Sequence, residues 1–269
     1  RETDSIVEVV RCFDDSNIVH VDGSVDPIRD IETINLELVL ADLETVNKRM
    51  ERAAKLAKGD KKYYAEEDLF KKIRDHLEAG KPARTLELND DEKEIIKDAF
   101  LLTMKPILYV ANVSEADIGK ENEYVAKVKE YAKAEGSEVV QLCVKIEEEL
   151  SSIEGDEKQE MLEAMGLDES GLDKVIKASY DLLGLMSFLT AGKKEVRAWT
   201  IKKGTKAPQA AGKIHTDFER GFIKAEIVSY DDLVRLGSYQ KAKEAGLVRL
   251  EGKDYVMQNG DIVEFKFNL

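Results

Sequence analysis

Three apolar, β-branched runs, the last two with a helix between them, constrain this chain more than any other feature. Ser5–Cys12 (SIVEVVRC) and Pro106–Asn112 (PILYVAN) read as buried parallel strands. Glu121–Glu135 carries Tyr124, Val128 and Tyr131 at helical spacing, and Glu138–Val144 returns as a third strand. A strand, helix, strand unit implies a right-handed crossover and a parallel sheet. Ligands of open sheets lie beyond the carboxyl ends of the strands, which is where Asn112 and Cys143 fall.

At 269 residues, two or three compact units are expected, and an apolar content of 43% is ample for their cores. The longest apolar runs, such as Pro106–Ala111, fall far short of the roughly 20 residues of a membrane span, and no charged start with an apolar stretch precedes Asp4. A soluble, cytoplasmic protein is expected. Cys12 and Cys143 have no CxxC spacing and only three histidines accompany them, against both a zinc site and a disulfide framework. They read as reduced, buried thiols. The net charge of −14 disfavours polyanionic partners on average, but the charge is unevenly spread.

Between Glu44 and Arg84 twelve Lys or Arg face eight Asp or Glu, a local net of +4 that leaves −18 for the remainder. Lys48, Arg49, Arg52, Lys55, Lys58, Lys61 and Lys62 crowd one helix, and Lys48, Arg52, Lys55 and Lys58 recur at steps of three and four that place them on one face. The opposite face carries Leu36, Leu40, Leu43, Met50, Ala54 and Ala57, a seam wanting a partner. Tyr63–Glu78, with Leu69, Ile73 and Leu77, supplies it after Gly59 and Asp60 break the first helix. An antiparallel helical hairpin follows. Its basic stripe is either a solvated face or a contact for RNA phosphates, and without interleaved aromatics it does not suggest base stacking.

Ile146–Gly166 is acidic and helical, with Ile146, Leu150, Ile153, Met161 and Leu162 available to pack inward, and it lacks calcium-loop spacing. Gly171–Met186 is a further amphipathic helix. From Ser187 the pattern changes to short strands and glycine turns: Glu195–Ile201, Gly221–Val228, Asp254–Gln258 and Ile262–Leu269, with a short helix at Ala207–Ile214. A β-grasp module of mixed strands around one helix is expected. His215 stands beside Thr216 and Asp217 without a nucleophile at motif spacing, and reads as a turn cap or packing residue. Trp199 and Phe218 read as core, and Lys202, Lys203 and Lys206 as a basic loop.

Arg197–Glu226, reading RAWTIKKGTKAPQAAGKIHTDFERGFIKAE, together with Asn112 to Glu115 after a strand and the ending Gly260–Asn268, resembles the YchF or Obg-like ATPase family, a branch of the P-loop GTPases. The resemblance covers essentially the whole chain. It implies an α/β fold: residues 1–35 and 104–186 as the C-terminal part of an incomplete P-loop NTPase domain, 36–103 as an inserted helical coiled-coil hairpin, and 187–269 as a TGS domain of β-grasp type. It also implies a ribosome-associated ATPase that engages ribosomal RNA through the arm and the TGS domain.

In GTPases an Asn-Lys-x-Asp follows this strand, and its carboxylate accepts from the guanine ring N–H and amine. Here Val113 and Glu115 stand in the Lys and Asp places. Adenine has no N1 proton, so the reason for that carboxylate is gone, and the resemblance implies a preference for ATP over GTP. Asn112, the Val113 backbone and the loop at Cys143 and Val144 are the expected base site. Glu115 reads either as part of it or as a cap on the following helix. Phosphate transfer needs a Gly-rich loop with Lys and Ser or Thr. The pairs Gly80-Lys81, Gly192-Lys193 and Gly212-Lys213 all lack it. The resemblance places that loop, and the Mg2+ ligands, ahead of Arg1, so a truncated chain without catalytic residues is expected, inactive alone. The other reading is a non-catalytic RNA or ribosome adaptor.

Overall fold

The computed structural model describes residues 2–19, 23–192 and 195–268. It divides into two compact units, Arg1–Ser179 and Tyr180–Leu269.

In the first unit β1 (Ile6–Arg11), β2 (Ile107–Asn112) and β3 (Glu138–Leu142) form a parallel sheet in the order β1-β2-β3. Ile6 pairs with Ile107 and Leu108 with Glu138. Every β2 residue from Ile107 to Ala111 is buried, as a central parallel strand requires. β1 departs from the expectation of a buried strand: Glu8 and Val10 face inward, while Val7 and Val9 are 45% and 59% exposed. β1 is an edge strand with one face in contact with the core.

α1 (Pro27–Ala57) starts where the Asp26 carboxylate accepts from the Ile28 and Arg29 N–H groups and Pro27 fits the first turn. α2 (Tyr63–Glu78) folds back on it after Lys58–Lys62. The inward face of α1 is the predicted one in part: Ala57 is buried, and Leu43 and Met50 pack beside the core. Val39, Asp42, Val46, Ala53 and Ala57 are buried against Leu69, Phe70, Ile73 and Leu77, whereas Leu36 and Leu40 are about half exposed. Leucine spacing alone rotated the seam, because a buried Asp occupies one turn of it. Asp42 Oδ1 accepts from Leu102 N–H at 2.9 Å, and Oδ2 accepts from Thr103 N–H and Oγ1 at 2.7 and 2.8 Å. Those bonds satisfy a carboxylate that would otherwise be costly to bury.

α3 (Asp90–Ile96) carries an Asn89–Glu92 capping box, and α4 (Glu123–Glu135) crosses from β2 to β3 and ends at Gly136, whose φ of 73° favours glycine. The acidic run forms two helices, α5 (Val144–Ser151) and α6 (Asp156–Ala164), separated at Gly155 with φ 62°. Ile146, Leu150 and Leu162 are buried, and Ile153 and Met161 pack beside them. α7 (Gly171–Leu182) is shorter than predicted, because Leu185–Ala191 is a strand, β4. Its alternation buries Met186 and Phe188.

In the second unit β4, β5 (Val196–Lys202), β6 (Phe222–Ser229), β7 (Arg249–Glu251) and β8 (Asp261–Phe267) form a sheet in the order β5-β4-β8-β6-β7. The β4–β8 pair is parallel and the others antiparallel. α8 (Ala207–Ile214) presents Ala207, Ala210 and Ala211, all fully buried, beside Phe188, Ile201 and Phe265. α9 (Thr216–Arg220), α10 (Tyr230–Leu236) and α11 (Tyr239–Glu244) complete the unit. Asp254–Gln258 is not a strand: Lys206 and Val256 form one isolated bridge, and Tyr255 and Met257 exchange bonds with the start of α8. Gly221 is obligatory, since a Cβ there would sit 2.2 Å from the Asn268 carbonyl oxygen.

Candidate functional site

The carboxyl ends of the three parallel strands are tied into one rim. Cys12 N–H donates to the Asn112 carbonyl at 2.8 Å, and Val113 N–H to the Leu142 carbonyl at 2.9 Å. From this frame the Asn112 side chain reaches across: its Oδ1 accepts from Val144 N–H at 3.0 Å, binding the loop after β2 to the first residue of α5. Glu115 pairs with Lys145, and the pairing holds the Lys145 pKa above its ordinary value. Asn112, Val113, Glu115, Cys143 and Val144 therefore converge, although Val113 and Cys143 turn their side chains into the core.

Glu115 does not cap the following helix. It lies in a 3₁₀ turn, Glu115–Asp117, and α4 is capped by Asn122, whose Oδ1 accepts from Val125 N–H at 2.9 Å. Asn122 Nδ2 also donates to the Cys12 carbonyl at 2.9 Å and to Asp117 at 3.2 Å, joining β1, the turn and α4. Gln141 Nε2 donates to the Asp117 and Lys120 carbonyls. Sequence reasoning missed Asn122, Asp117 and Gln141. The signal for Asn122 was legible, an Asn immediately before a helical run.

Cys12 is fully buried, which pushes its thiol up to about 12, so it presents no reactive thiolate; Cys143 is buried too. Among the described residues no group of three His, Cys, Asp or Glu side chains is placed to hold a metal. The Asn112 amide nitrogen has no bonding partner among the described residues, and that donor fits the edge of a purine.

On the arm, Lys48, Arg52, Lys55, Lys58 and Lys61 are exposed. Lys48, Arg52 and Lys55, with Glu51 and Leu56, border a shallow groove of about 360 Å³. Arg49 departs from the set, donating to the Asp98 carbonyl, and Lys62 pairs with Asp60 at 3.1 Å. No aromatic interleaves the stripe, but at the turn Lys62 lies 5.0 Å over the Tyr63 ring and Tyr64 is 51% exposed. In the second unit Lys203 and Lys206 pair with Asp181 and Asp254. His215 caps α9 through Nδ1, which accepts from Asp217 N–H, and Trp199 stacks on Phe188 while donating to Thr190.

A three-stranded parallel sheet with its crevice at the carboxyl strand ends, an inserted helix pair and a mixed-sheet module define an α/β protein of nucleotide-site architecture. Over residues 185–268 the chain matches a family model named YchF-GTPase_C and described as a protein of unknown function, DUF933. It is 57% identical over 272 residues to the ribosome-binding ATPase YchF of Bacillus subtilis, covering 100% of this chain and 74% of that protein. With Obg-like ATPase 1 of Rattus norvegicus it shares 46% identity over 272 residues, covering 98% of this chain and 68% of the relative. The solved structure of the Schizosaccharomyces pombe YchF GTPase superposes with a TM-score of 0.81 at 39% identity, over 98% of this chain and 72% of that one. The chain belongs to the YchF/Obg-like ATPase family.

Proposed function

We propose that this chain carries the base-reading and RNA-contacting parts of a cytoplasmic, ribosome-associated ATPase that prefers ATP to GTP. The reading is supported by relatives named ribosome-binding ATPases. The observation that carries it is the convergence of Asn112, Val113 and Glu115 with Cys143 and Val144 at the carboxyl ends of β2 and β3. There the Val113 backbone faces the adenine amine, and Glu115 is bound to Lys145 instead of waiting for a guanine N–H.

ATP is the proposed nucleotide, with Mg2+ held by residues outside this set. The 269 residues contain no Gly-x-x-x-x-Gly-Lys-Ser/Thr, so turnover by them alone is expected to be undetectable. Calorimetry tests the specificity: ATP should bind more tightly than GTP, and tighter GTP binding sinks the reading.

The basic arm and the TGS-type second unit are the proposed ribosomal RNA contacts. The exposed Lys48, Arg52, Lys55 and Lys58 also support the second reading, an adaptor acting without nucleotide. Under that reading, co-sedimentation with ribosomes persists without ATP and falls steeply as salt rises. Under the first, it changes with nucleotide, since a ligand shifts an equilibrium only by binding its states differently.

A further inference from the structure

Outside the edge of β3 lies a cavity of about 300 Å³, at the small end of the range for small-molecule sites. Val113, Ile118, Leu142, Ile146 and Leu167 give it an apolar floor. It shares the Val113 and Cys143 walls with the nucleotide rim, but Asn112, Glu115 and Val144 do not line it.

The charges around it are unequally satisfied. Glu121 is paired with Lys129, and Glu169 with Lys177. Glu147 accepts from the Gly171 and Leu172 N–H groups at 2.7 and 3.0 Å, and a Cβ on Gly171 would come within 2.8 Å of that carboxylate. All three carboxylates are thus engaged. Lys174, by contrast, lines the cavity half-buried, and its ammonium has no partner among the described residues. Lys120 donates to the Ala116 carbonyl and has no counter-ion among the described residues.

We infer that this cavity is a second ligand site, which takes a small amphipathic anion: a carboxylate or sulfonate on a flat apolar body, the body on the Val113–Ile146–Leu167 floor and the charge at Lys174. Occupation would press on the backbone of Val113 and Cys143, and so bear on the adjoining nucleotide rim without competing for Asn112.

The test is amide NMR on the full 269-residue chain with 1-naphthalenesulfonate, and with uncharged 1-naphthalenemethanol for comparison. The Gly119 and Gly171 signals should move with the sulfonate and the alcohol should bind about fivefold more weakly, the scale of a half-exposed ion pair. Lys174→Glu should weaken the sulfonate tenfold or more while leaving the alcohol unchanged, and Leu167→Trp should fill the cavity and abolish both responses in a chain whose remaining spectrum is intact. The inference is overturned if neither signal moves, if only Gly237 by the separate cavity of the second unit responds, or if either variant binds the sulfonate as the parent does. Displacement of the sulfonate by ATP would also overturn it, by making the cavity part of the nucleotide site.

Discussion

At its base the α1–α2 hairpin is held by buried and part-buried polar groups, whereas toward its turn the polar groups lie in water. Near the base, Asp42 binds Leu102 and Thr103, Asn35 donates to the Tyr131 hydroxyl at 3.3 Å, and Arg84 pairs with Glu135 at 3.2 Å. Toward the turn, Arg52, Lys55, Lys58 and Lys61 are solvated, and the helices meet through Ala53 and Ala57. The contrast teaches that one helix serves two purposes along its length. Polar groups bonded out of bulk water, Asp42 above all, fix its direction, and the exposed charges toward the turn add little stability and remain available to a partner.

The largest effect tests the base. Asp42→Ala strands the Leu102 and Thr103 donors and is expected to cost about 3 kcal/mol or more in urea unfolding. A loss under about 1 kcal/mol would erase the distinction between base and turn.

Glu8 gives the next effect. It is buried beside Glu135 and Arg84, and its Oε2 has no partner; burial, aided by Glu135 and opposed by Arg84, raises its pKa from 4.5 to about 7. The folded chain then keeps a proton that the unfolded chain releases. This group's contribution to stability is therefore highest below 4.5, falls as pH rises through about 7, and is level above. Tyr109, bonded to Glu135 at 3.0 Å, is the neighbouring hydroxyl, and its pKa is also raised, chiefly by burial. Glu8→Gln should gain on the parent by on the order of 2 kcal/mol between pH 4.5 and pH 8. An equal difference between the two proteins at both pH values would count against it.

Smaller effects separate residues that the sequence grouped together. Arg49→Ala should cost about 1 kcal/mol through its bond to Asp98, while Lys48→Ala should stay within about 0.5 kcal/mol. Equal costs would mean that Arg49 belongs with the solvated stripe. Least of all should stability respond to reversing Lys48, Arg52, Lys55 and Lys58 together, yet RNA co-sedimentation and its salt dependence should collapse. Unaltered RNA binding in that variant would assign the arm to protein contacts.

The contrast also marks what sequence patterning reveals. β2, α4, β3 and α8 were legible because apolar periodicity sets each of them locally. The start of the α1 seam was misread at Leu36 and Leu40, because its period there runs through Asp42, whose partners at 102 and 103 are visible only in three dimensions; Leu43, Met50 and Ala57 were placed correctly. The start of β4, Leu185 and Met186, was absorbed into a helix because it follows α7 with only Gly184, at φ 62°, to mark the change. At the rim, Asn112 and Glu115 were picked out, but Asn122 was passed over. Its cap was foreseeable; its bond to Cys12, 110 positions away, was not.

The bond from Val144 to Asn112 engages one lone pair of the amide oxygen and leaves the amide nitrogen as its unengaged donor among the described residues. Adenine and guanine both carry a ring acceptor at N7, so a lone N–H donor greets either purine alike. On the proposed reading Asn112 is an anchor indifferent to which purine arrives, and discrimination passes to its neighbours, where the carboxylate at position 115 already has Lys145 as a companion.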